Sequence, residues 1–359
     1  MVRDDSPWQA AMWALPLEPI RAGRPTPMQA RVDVSRPVVI AAYSRDGAGA
    51  LRIPAAEPRV YRPARLGIDL TEGFDKFVDK KDGIDDLKAP LAAINSAKFS
   101  LKDNRIAFVS FRNNLNKIMG TAYNRRDPWR IGVTRFCNVV YLDVRPSVDP
   151  ALPVCDQPDN SQGSRLFSFM GYSFEAKSTV SADGSPNDRP IDANNEYCTV
   201  SRLRIGRHRI LLAAEIDCVS RPAAGHPIEL KTAACIRNEK QRFVFRRYKM
   251  LSSWIQSFLV NTPVIVFGFR DEQNRLAGVE RFATEDIPRQ CQDLWSAHEC
   301  LSLTDNVLSF LQDHVEESRA YLLQFSAPFH EIRLTQEPMD ARLRISELWP
   351  EVPHTLPET

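Results

Sequence analysis

The chain has 359 residues, a hydrophobic fraction of 43%, an aromatic fraction of 9% and a formal net charge of +2. This composition suits a packed globular core, and the near-neutral charge excludes a globally basic surface, so any basic groove has to be local. The seven cysteines are odd in number and form no C-x-x-C pair, which indicates a reducing compartment and no structural zinc site.

The N-terminal segment carries acids early and lacks the apolar stretch of a secretory signal. The longest apolar runs, such as VIVFGF, are far shorter than the about 20 residues that a membrane-spanning helix needs. We therefore expect a soluble intracellular protein without a membrane partner.

Prolines are dense up to about residue 66 and little helical periodicity interrupts them. We predict a Pro-rich arm over residues 1–35, a single domain over 36–340 and a tail over 341–359. The run VVIAAYS at 38–44 is typical of an edge strand. The central core of the domain is expected over about 165–272.

Ahead of this core, the patterns predict a series of short elements. They are a short helix with a solvated turn (68–83), a helix interrupted near Pro90 (87–97), a strand passing into a helix near Arg112 (105–123), a turn with two short strands (125–144) and a loop (147–164).

The core itself is predicted to contain a helix, three strands, a second helix and a further strand. Their ranges are 165–178, then 196–206, 209–219 and 227–235, then 245–260 and 263–272. A helix over 293–318 and one or two strands over 321–336 follow. A polar loop over 181–195 separates the first helix from the strands.

Periodicity predicts which faces of the two core helices are buried. On the first helix one apolar face carries Leu166, Phe167, Met170 and Phe174. On the second the buried stripe comprises Met250, Leu251, Trp254, Ile255 and Phe258, and the polar face comprises Lys249, Ser252, Ser253 and Gln256.

Acidic residues interrupt two of the predicted core strands. Glu215 and Asp217 are two positions apart, as are Glu229 and Lys231, so each pair points to one face of its strand. Buried ionised groups cost several kcal/mol unless they are compensated, and three acids exceed one lysine. A divalent cation such as Mg²⁺ would neutralise the excess, which favours metal-assisted phosphodiester hydrolysis. The alternative is an internal salt-bridge cluster.

The order helix, three strands, helix, strand is the minimal core of the PD-(D/E)XK nuclease-type fold, and the acids on strands two and three occupy the positions that this fold uses for metal. We therefore predict an α/β fold in which mixed β-sheets are flanked by helices around such a core.

The sequence resembles the DXO family of RNA decapping enzymes and exoribonucleases, which includes the fungal partner of the nuclear 5′–3′ exoribonuclease. Its motifs match an F-R dipeptide at Phe111-Arg112, Gly-apolar-x-apolar-Glu ending at Glu175, Glu-apolar-Asp at Glu215–Asp217 and Glu-apolar-Lys at Glu229–Lys231. The run KMLSSWIQSFL with Gln256, leading into PVIVFGFR, also resembles the family closely. The resemblance covers roughly residues 36 to 336.

The resemblance implies a role for each matched position. One or two Mg²⁺ or Mn²⁺ ions would be held by Glu175, Glu215, Asp217, Glu229 and the main-chain carbonyl of Leu230. Lys231 and Gln256 would orient the attacking water and the scissile phosphate, completing the catalytic set. Arg112 would bind a 5′ phosphate, as its guanidinium chemistry suits, and Cys198 would line the substrate pocket.

The function implied by the resemblance is hydrolysis at the 5′ end of RNA by a metal-dependent decapping nuclease. It would remove incomplete or non-canonical caps, or pyrophosphate from triphosphate ends, with 5′–3′ exoribonuclease trimming as a further activity. An alternative is a binding protein that stabilises and activates a large exoribonuclease. A DNA nuclease is a third possibility, disfavoured by the lack of a basic run. Nuclear residence is expected, with cytoplasmic residence left open because no compact Lys/Arg cluster occurs.

Overall fold

The computed structural model describes residues 12–18, 31–80, 87–146, 162–186, 189–223 and 225–338. Its α-helices are α1 (Lys88–Ser96), α2 (Arg112–Gly120), α3 (Gln162–Lys177), α4 (Glu239–Val244), α5 (Leu251–Phe258), α6 (Ile287–Gln290) and α7 (Ala297–His314). A π-helical segment, Phe245–Met250, joins α4 to α5, and short 3₁₀ turns occur at Phe74–Lys76 and Thr284–Asp286.

The strands are β1 (Met12–Pro16), β2 (Val38–Arg45), β3 (Leu51–Arg52), β4 (Val60–Tyr61), β5 (Phe108–Phe111), β6 (Trp129–Phe136), β7 (Val139–Val144), β8 (Thr179–Val180), β9 (Glu196–Ile205), β10 (His208–Glu215), β11 (Cys218–Val219), β12 (Pro227–Ala234), β13 (Val264–Arg270), β14 (Leu276–Ala283), β15 (Ala320–Phe325) and β16 (Glu331–Glu337). They form two mixed sheets. The larger has the order β1-β16-β15-β6-β7-β5-β10-β9-β2-β3, and the smaller has the order β14-β13-β12-β11-β4-β8.

The two sheets share one hydrophobic core. Leu212 of β10 and Phe267 of β13 both belong to it, together with buried residues of α2, α5 and α7. Alternation along the strands sends the neighbouring residues the other way. Leu211 and Ala213 face a second cluster with α1, and Val266 faces a third cluster with α3. The mixed α/β fold with helices on both sides of the sheets is therefore as predicted.

Helix α3 packs against the outer face of the smaller sheet through the ring of Phe174. Phe174 is fully buried in the third cluster with Leu230 and Val266. Gly268 of β13 makes this approach possible, since a Cβ atom at that position would lie 2.5 Å from the Phe174 ring. Burial of the ring contributes about 2 kcal/mol, and the contact fixes how α3 is placed relative to β12 and β13.

The interpretation of residues 209–219 as one strand is wrong. The chain leaves the larger sheet after Glu215, crosses at Ile216 and Asp217, and enters the smaller sheet at β11. Ile216 is buried in a small separate cluster with Ala214 and Val260. Because this residue is apolar and buried, the sequence pattern of a strand continues across the break. Glu215 and Glu229 consequently belong to different sheets and not to neighbouring strands of one sheet.

Several shorter predictions need correction. Helix α1 is continuous, because Pro90 lies in its first turn, where a missing N–H leaves no hydrogen bond unmade. The expected helix in 68–83 is only a 3₁₀ turn at Phe74–Lys76, and residues 81–83 lie outside the described residues. Phe167 is exposed and Phe169 is buried in its place, whereas Ser253 is buried and not on the polar face of α5.

The remaining expectations concern the ends of the chain and the edge strand. Strand β1, within the predicted arm, pairs with β16 of the larger sheet. Strand β2 is covered by the two-residue β3 only at Ser44 and Arg45, so the rest of it is an edge as predicted. The predicted tail, and most of the loop at 147–164, lie outside the described residues. Within the described part of the chain, no helix has the length and apolarity needed to cross a membrane.

Candidate active site

Asp217 lies where the chain crosses between the two sheets. Its Oδ2 accepts a hydrogen bond of 2.7 Å from the backbone N–H of Leu230 on β12. Strand β11 covers β12 only at Pro227 and Ile228, so the following residues of β12 have room for a side chain beside them. The crossing therefore brings Asp217 next to Glu229 and Lys231, although it is not in a strand.

Glu229 is the most deeply buried acid of the site, with 1% of its surface exposed. Its Oε1 lies 2.5 Å from Lys231 Nζ, and its Oε2 lies 3.4 Å from Arg112 Nη1. Arg112 is the first residue of α2 and is also buried. Two cations thus hold one carboxylate at the junction of α2 and β12.

The pKa values separate Glu229 from the other acids. Burial would raise the pKa of Glu229, but the charges of Lys231 and Arg112 outweigh it and the pKa is lowered. For Asp217, burial and then the charge of Glu229 raise the pKa from 3.8 to about 7. Burial is also the main cause that raises the pKa of Glu175 and of Glu215. The site therefore holds more acid than its own cations balance.

Glu175 reaches this group from the last turn of α3. The charges of Asp217 and Glu215 are the next causes, after burial, that raise its pKa. The backbone carbonyl of Glu175 accepts a hydrogen bond of 2.8 Å from Thr179 Oγ1, which fixes the end of the helix. The four acids thus come from a helix, a strand of each sheet and the crossing between the sheets, so only the tertiary fold assembles them.

Gln256 and Cys198, the two uncharged side chains of the predicted site, lie at its border. The backbone carbonyl of Gln256 accepts a hydrogen bond of 3.4 Å from Arg112 Nη1, which places this turn of α5 beside the site. Cys198 pairs with Glu215 across β9 and β10, but it is 4% exposed and its thiol lies near Tyr43 in the second cluster. The substrate-binding role of Cys198, like the roles of the other site residues, stays a prediction.

The donor chemistry fits a hard divalent cation. Across the described ranges, no three histidine, cysteine, aspartate or glutamate side chains already stand in a metal-binding geometry. The available donors are nevertheless carboxylates and a main-chain carbonyl, which suit Mg²⁺ or Mn²⁺. Their mutual repulsion, seen in the raised pKa values of Glu175 and Asp217, is what a bound cation would relieve. The residues that would hold it are Glu175, Glu215, Asp217, Glu229 and Leu230.

Three residues near the acids were not found from the sequence. The charge of Lys80 lowers the pKa of Glu215, and Lys80 Nζ lies 3.6 Å from Glu196. Arg59 interacts electrostatically with Glu175. The charge of Glu215, second to burial, raises the pKa of Tyr172. Tyr172 lies inside the Gly-apolar-x-apolar-Glu motif and could have been found there, but Lys80 and Arg59 lie in segments without a local signal.

The chain is similar in sequence to known nucleases. The RAI1 decapping nuclease of Cryptococcus neoformans is 27% identical over 310 residues, covering 81% of this chain and 79% of that protein. The decapping and exoribonuclease protein of Xenopus laevis is 33% identical over 222 residues, covering 58% of this chain and 54% of that protein.

Solved structures share the fold. Scheffersomyces stipitis Rai1 in complex with (3′-NADP)+ and calcium has a TM-score of 0.77 at 22% identity, covering 94% of this chain and 95% of that one. Candida albicans Rai1 in complex with pU5-Mn2+ has a TM-score of 0.75 at 23% identity, covering 93% and 95%.

The two-sheet core, with carboxylates and a lysine where the sheets meet, defines a nuclease of the PD-(D/E)XK class. The family model described as RAI1-like PD-(D/E)XK nuclease matches residues 35–350. The chain belongs to that family.

Proposed function

We propose that this protein is a metal-dependent hydrolase of the 5′ end of RNA. It removes incomplete or non-canonical caps, or pyrophosphate from triphosphate ends. Trimming of the RNA from its 5′ end by the same site is a further activity that the experiment below tests. The observation that carries the proposal is the convergence of four acids with Lys231 and Arg112 where the two sheets meet.

The relatives support the choice of substrate. Those of Cryptococcus neoformans and Xenopus laevis are named as a decapping nuclease and as a decapping and exoribonuclease protein. The Candida albicans structure holds pU5 with Mn²⁺, and the Scheffersomyces stipitis structure holds a nucleotide with calcium. We therefore propose Mg²⁺ or Mn²⁺, as one or two ions, for this chain.

The residues of the chain divide the chemical work. A bound divalent cation would lower the pKa of a coordinated water and offset charge on the phosphate oxygens. Lys231 carries a raised pKa, because Glu229 and Asp217 outweigh the effect of burial, so it remains a cation that can stabilise the developing charge. Arg112 contacts both Glu229 and the Gln256 turn, and its guanidinium suits a terminal phosphate. Gln256 is left to orient water or phosphate through its amide.

The test uses the purified protein with Mg²⁺ or Mn²⁺ and RNAs that differ only at the 5′ end. The ends are monophosphate, triphosphate, unmethylated cap, methylated cap and nicotinamide-dinucleotide cap. An Asp217→Ala/Glu229→Ala double variant serves as the inactive control. We expect the wild type to release 5′ products that the double variant does not release, and the product pattern identifies the activity. If the wild type cleaves none of the RNAs, the proposal fails.

Nuclear residence is part of the proposal and rests on the family resemblance. Imaging of the tagged full-length chain tests it. A protein partner of the exoribonuclease type remains an expectation of the resemblance, and co-purification from cells tests it.

A further inference from the structure

Two cations beside the acid site have no acidic partner within the described part of the chain. Lys249 is the fifth residue of the π-helical segment, and Arg270 is the last residue of β13. No acidic side chain among the described residues pairs with either, and Arg270 Nε is buried without an acceptor. After burial, the causes that lower the pKa of Lys249 are the positive charges of Arg270 and Lys231. The three positive charges therefore form a row that runs from Lys231 in the middle of β12, past Lys249, to Arg270 at the carboxyl end of β13.

An exposed aromatic ring lies at the far end of this row. Phe167 on α3 has 58% of its surface exposed, and the Arg270 guanidinium carbon lies 5.0 Å from its ring centroid. Phe167 and Phe243 are the two phenylalanines that the described residues expose, so the Phe167 ring is accessible to a further stacking partner. The cation–π contact with Arg270 fixes the orientation of the Phe167 ring.

Helix α3 connects this ring to the acids. Phe167, Gly171 and Glu175 follow at intervals of four residues, which places them on one face over about 12 Å of helix. A Cβ atom at Gly171 would meet nothing within 4 Å, so the middle of this face borders open space. The face thus leads from Glu175 of the acid site, past an open position, to the aromatic ring.

We propose that Lys249, Arg270 and Phe167 form a binding subsite for the RNA strand that follows the reacting 5′ end. A backbone phosphate lies between Lys249 and Arg270, and a base stacks on Phe167. The proposal rests on the proposed function of the acid site. The subsite would contact the part of the RNA that the acid site does not contact. Stacking on an aromatic ring does not depend on base identity, so the subsite accepts RNA of any sequence.

The chemistry favours single-stranded nucleic acid over a protein ligand. Unbalanced cations attract a phosphate backbone, and an exposed aromatic ring beside them provides the stacking surface that single-stranded binding sites combine with such charge. An acidic peptide would use the cations but would leave the ring without a stacking partner. Spacing along α3 also places the ring too far from the acids to contact the reacting phosphate itself.

The test measures binding and cleavage separately. Anisotropy of a labelled 5′-monophosphate oligoribonucleotide with Ca²⁺ gives Kd, and cleavage with Mn²⁺ gives kcat and KM for this oligonucleotide and for a dinucleotide. The variants are Phe167→Leu, Phe167→Trp, Lys249→Gln and Arg270→Gln. The control is Arg281→Gln, which removes an exposed arginine of β14 whose guanidinium carbon lies 5.5 Å from the Tyr61 ring.

We expect Phe167→Leu to raise Kd and KM for the oligonucleotide about tenfold, which is the size of one lost base stack. Phe167→Trp retains binding, and the dinucleotide KM and both kcat values stay unchanged. Lys249→Gln and Arg270→Gln each reduce the slope of log K against log salt by about 0.7, whereas Phe167→Leu leaves that slope unchanged. Arg281→Gln changes none of these values.

Equal losses on the dinucleotide and the oligonucleotide, or no loss in any variant, overturn the subsite. Competition by an acidic peptide of equal charge that matches the RNA also overturns it in favour of a protein ligand. If the wild type binds the oligonucleotide but cleaves nothing, the proposed function fails while the Kd values still decide on the subsite. If the wild type binds no RNA, both fail.

Discussion

Replacement of Asp217 by asparagine distinguishes a metal site from an internal salt-bridge cluster. In the metal-free protein the pKa of Asp217 is about 7 against an ordinary value of 3.8, because burial and Glu229 oppose its charge. The native state therefore binds this proton more tightly than the unfolded state does. The stabilisation is complete below pH 3.8 and is lost as pH rises through about 7. Asparagine escapes this loss, and its side-chain oxygen can still accept the Leu230 N–H.

The pKa difference sets the size of the effect. At 1.36 kcal/mol per pKa unit, Asp217→Asn should stabilise the metal-free protein by about 2 kcal/mol at pH 5 and about 4 kcal/mol at pH 8. For a chain of this length, about 4 kcal/mol corresponds to a rise in Tm of about 5 °C. Lys231 keeps Glu229 as its partner at 2.5 Å, so the substitution leaves no cation uncompensated.

Thermal unfolding in EDTA at pH 5 and pH 8 measures this effect, and repetition with Mn²⁺ gives the metal contribution. We expect Mn²⁺ at a concentration of about 100 Kd to stabilise the wild type by about 2.7 kcal/mol and so to raise its Tm, and to stabilise Asp217→Asn much less. RNA cleavage by the variant should be lost. A variant that is destabilised in EDTA at pH 8 would refute the reasoning, because Asp217 would then be a structural ion partner.

Three further predictions concern the surroundings of this carboxylate. Lys231→Met should lower kcat by about 10²–10³-fold without recovery in Lys231→Arg, because a bidentate guanidinium does not replace a point charge; near-normal rates in either variant would contradict this. Arg112→Gln should lower the free energy of unfolding by about 2 kcal/mol in urea titrations, because buried Glu229 loses a partner, and it should raise KM for monophosphate RNA. An effect on KM without a loss of stability would mean that Arg112 acts only in substrate binding. Gly268→Ala should lower stability and cleavage together by displacing Phe174 and hence α3, whereas Gly278→Ala, where a Cβ meets nothing within 4 Å, should lower neither.

Local patterns in the sequence predict most of the elements and the acids of the site. The alternation of charge with apolar residues marks Glu215, Asp217, Glu229 and Lys231, and the motif resemblance adds Glu175. The switch of the chain between sheets at Ile216 escapes such reasoning, because an apolar residue at a strand end and one at a sheet crossing look alike. Strand pairing over long sequence separations decides between them.

Exposure and long-range charge contacts are predicted less well. Phe167 carries the apolar character of a core residue, but Arg270, distant in sequence, takes the place of core packing around its ring. Lys80 and Arg59 approach the acids only because the fold brings their segments there. Ser253 is buried because α5 is covered on more than its apolar stripe, and periodicity alone assigns it to the polar face.

Because the acids are divided between the two sheets, the geometry of the site depends on how the sheets are positioned relative to each other. Glu215 ends a strand of the larger sheet, Glu229 lies within the smaller, and the chain between them crosses at Ile216 and Asp217. A slide of one sheet over the other changes the spacing of the ligands without altering any ligand. A cation that prefers one spacing of the ligands therefore stabilises that alignment of the two sheets. Because this coupling is reciprocal, a substitution in the core between the sheets, such as at Leu212 or Phe267, that shifts the alignment changes the cation affinity by the same coupling free energy.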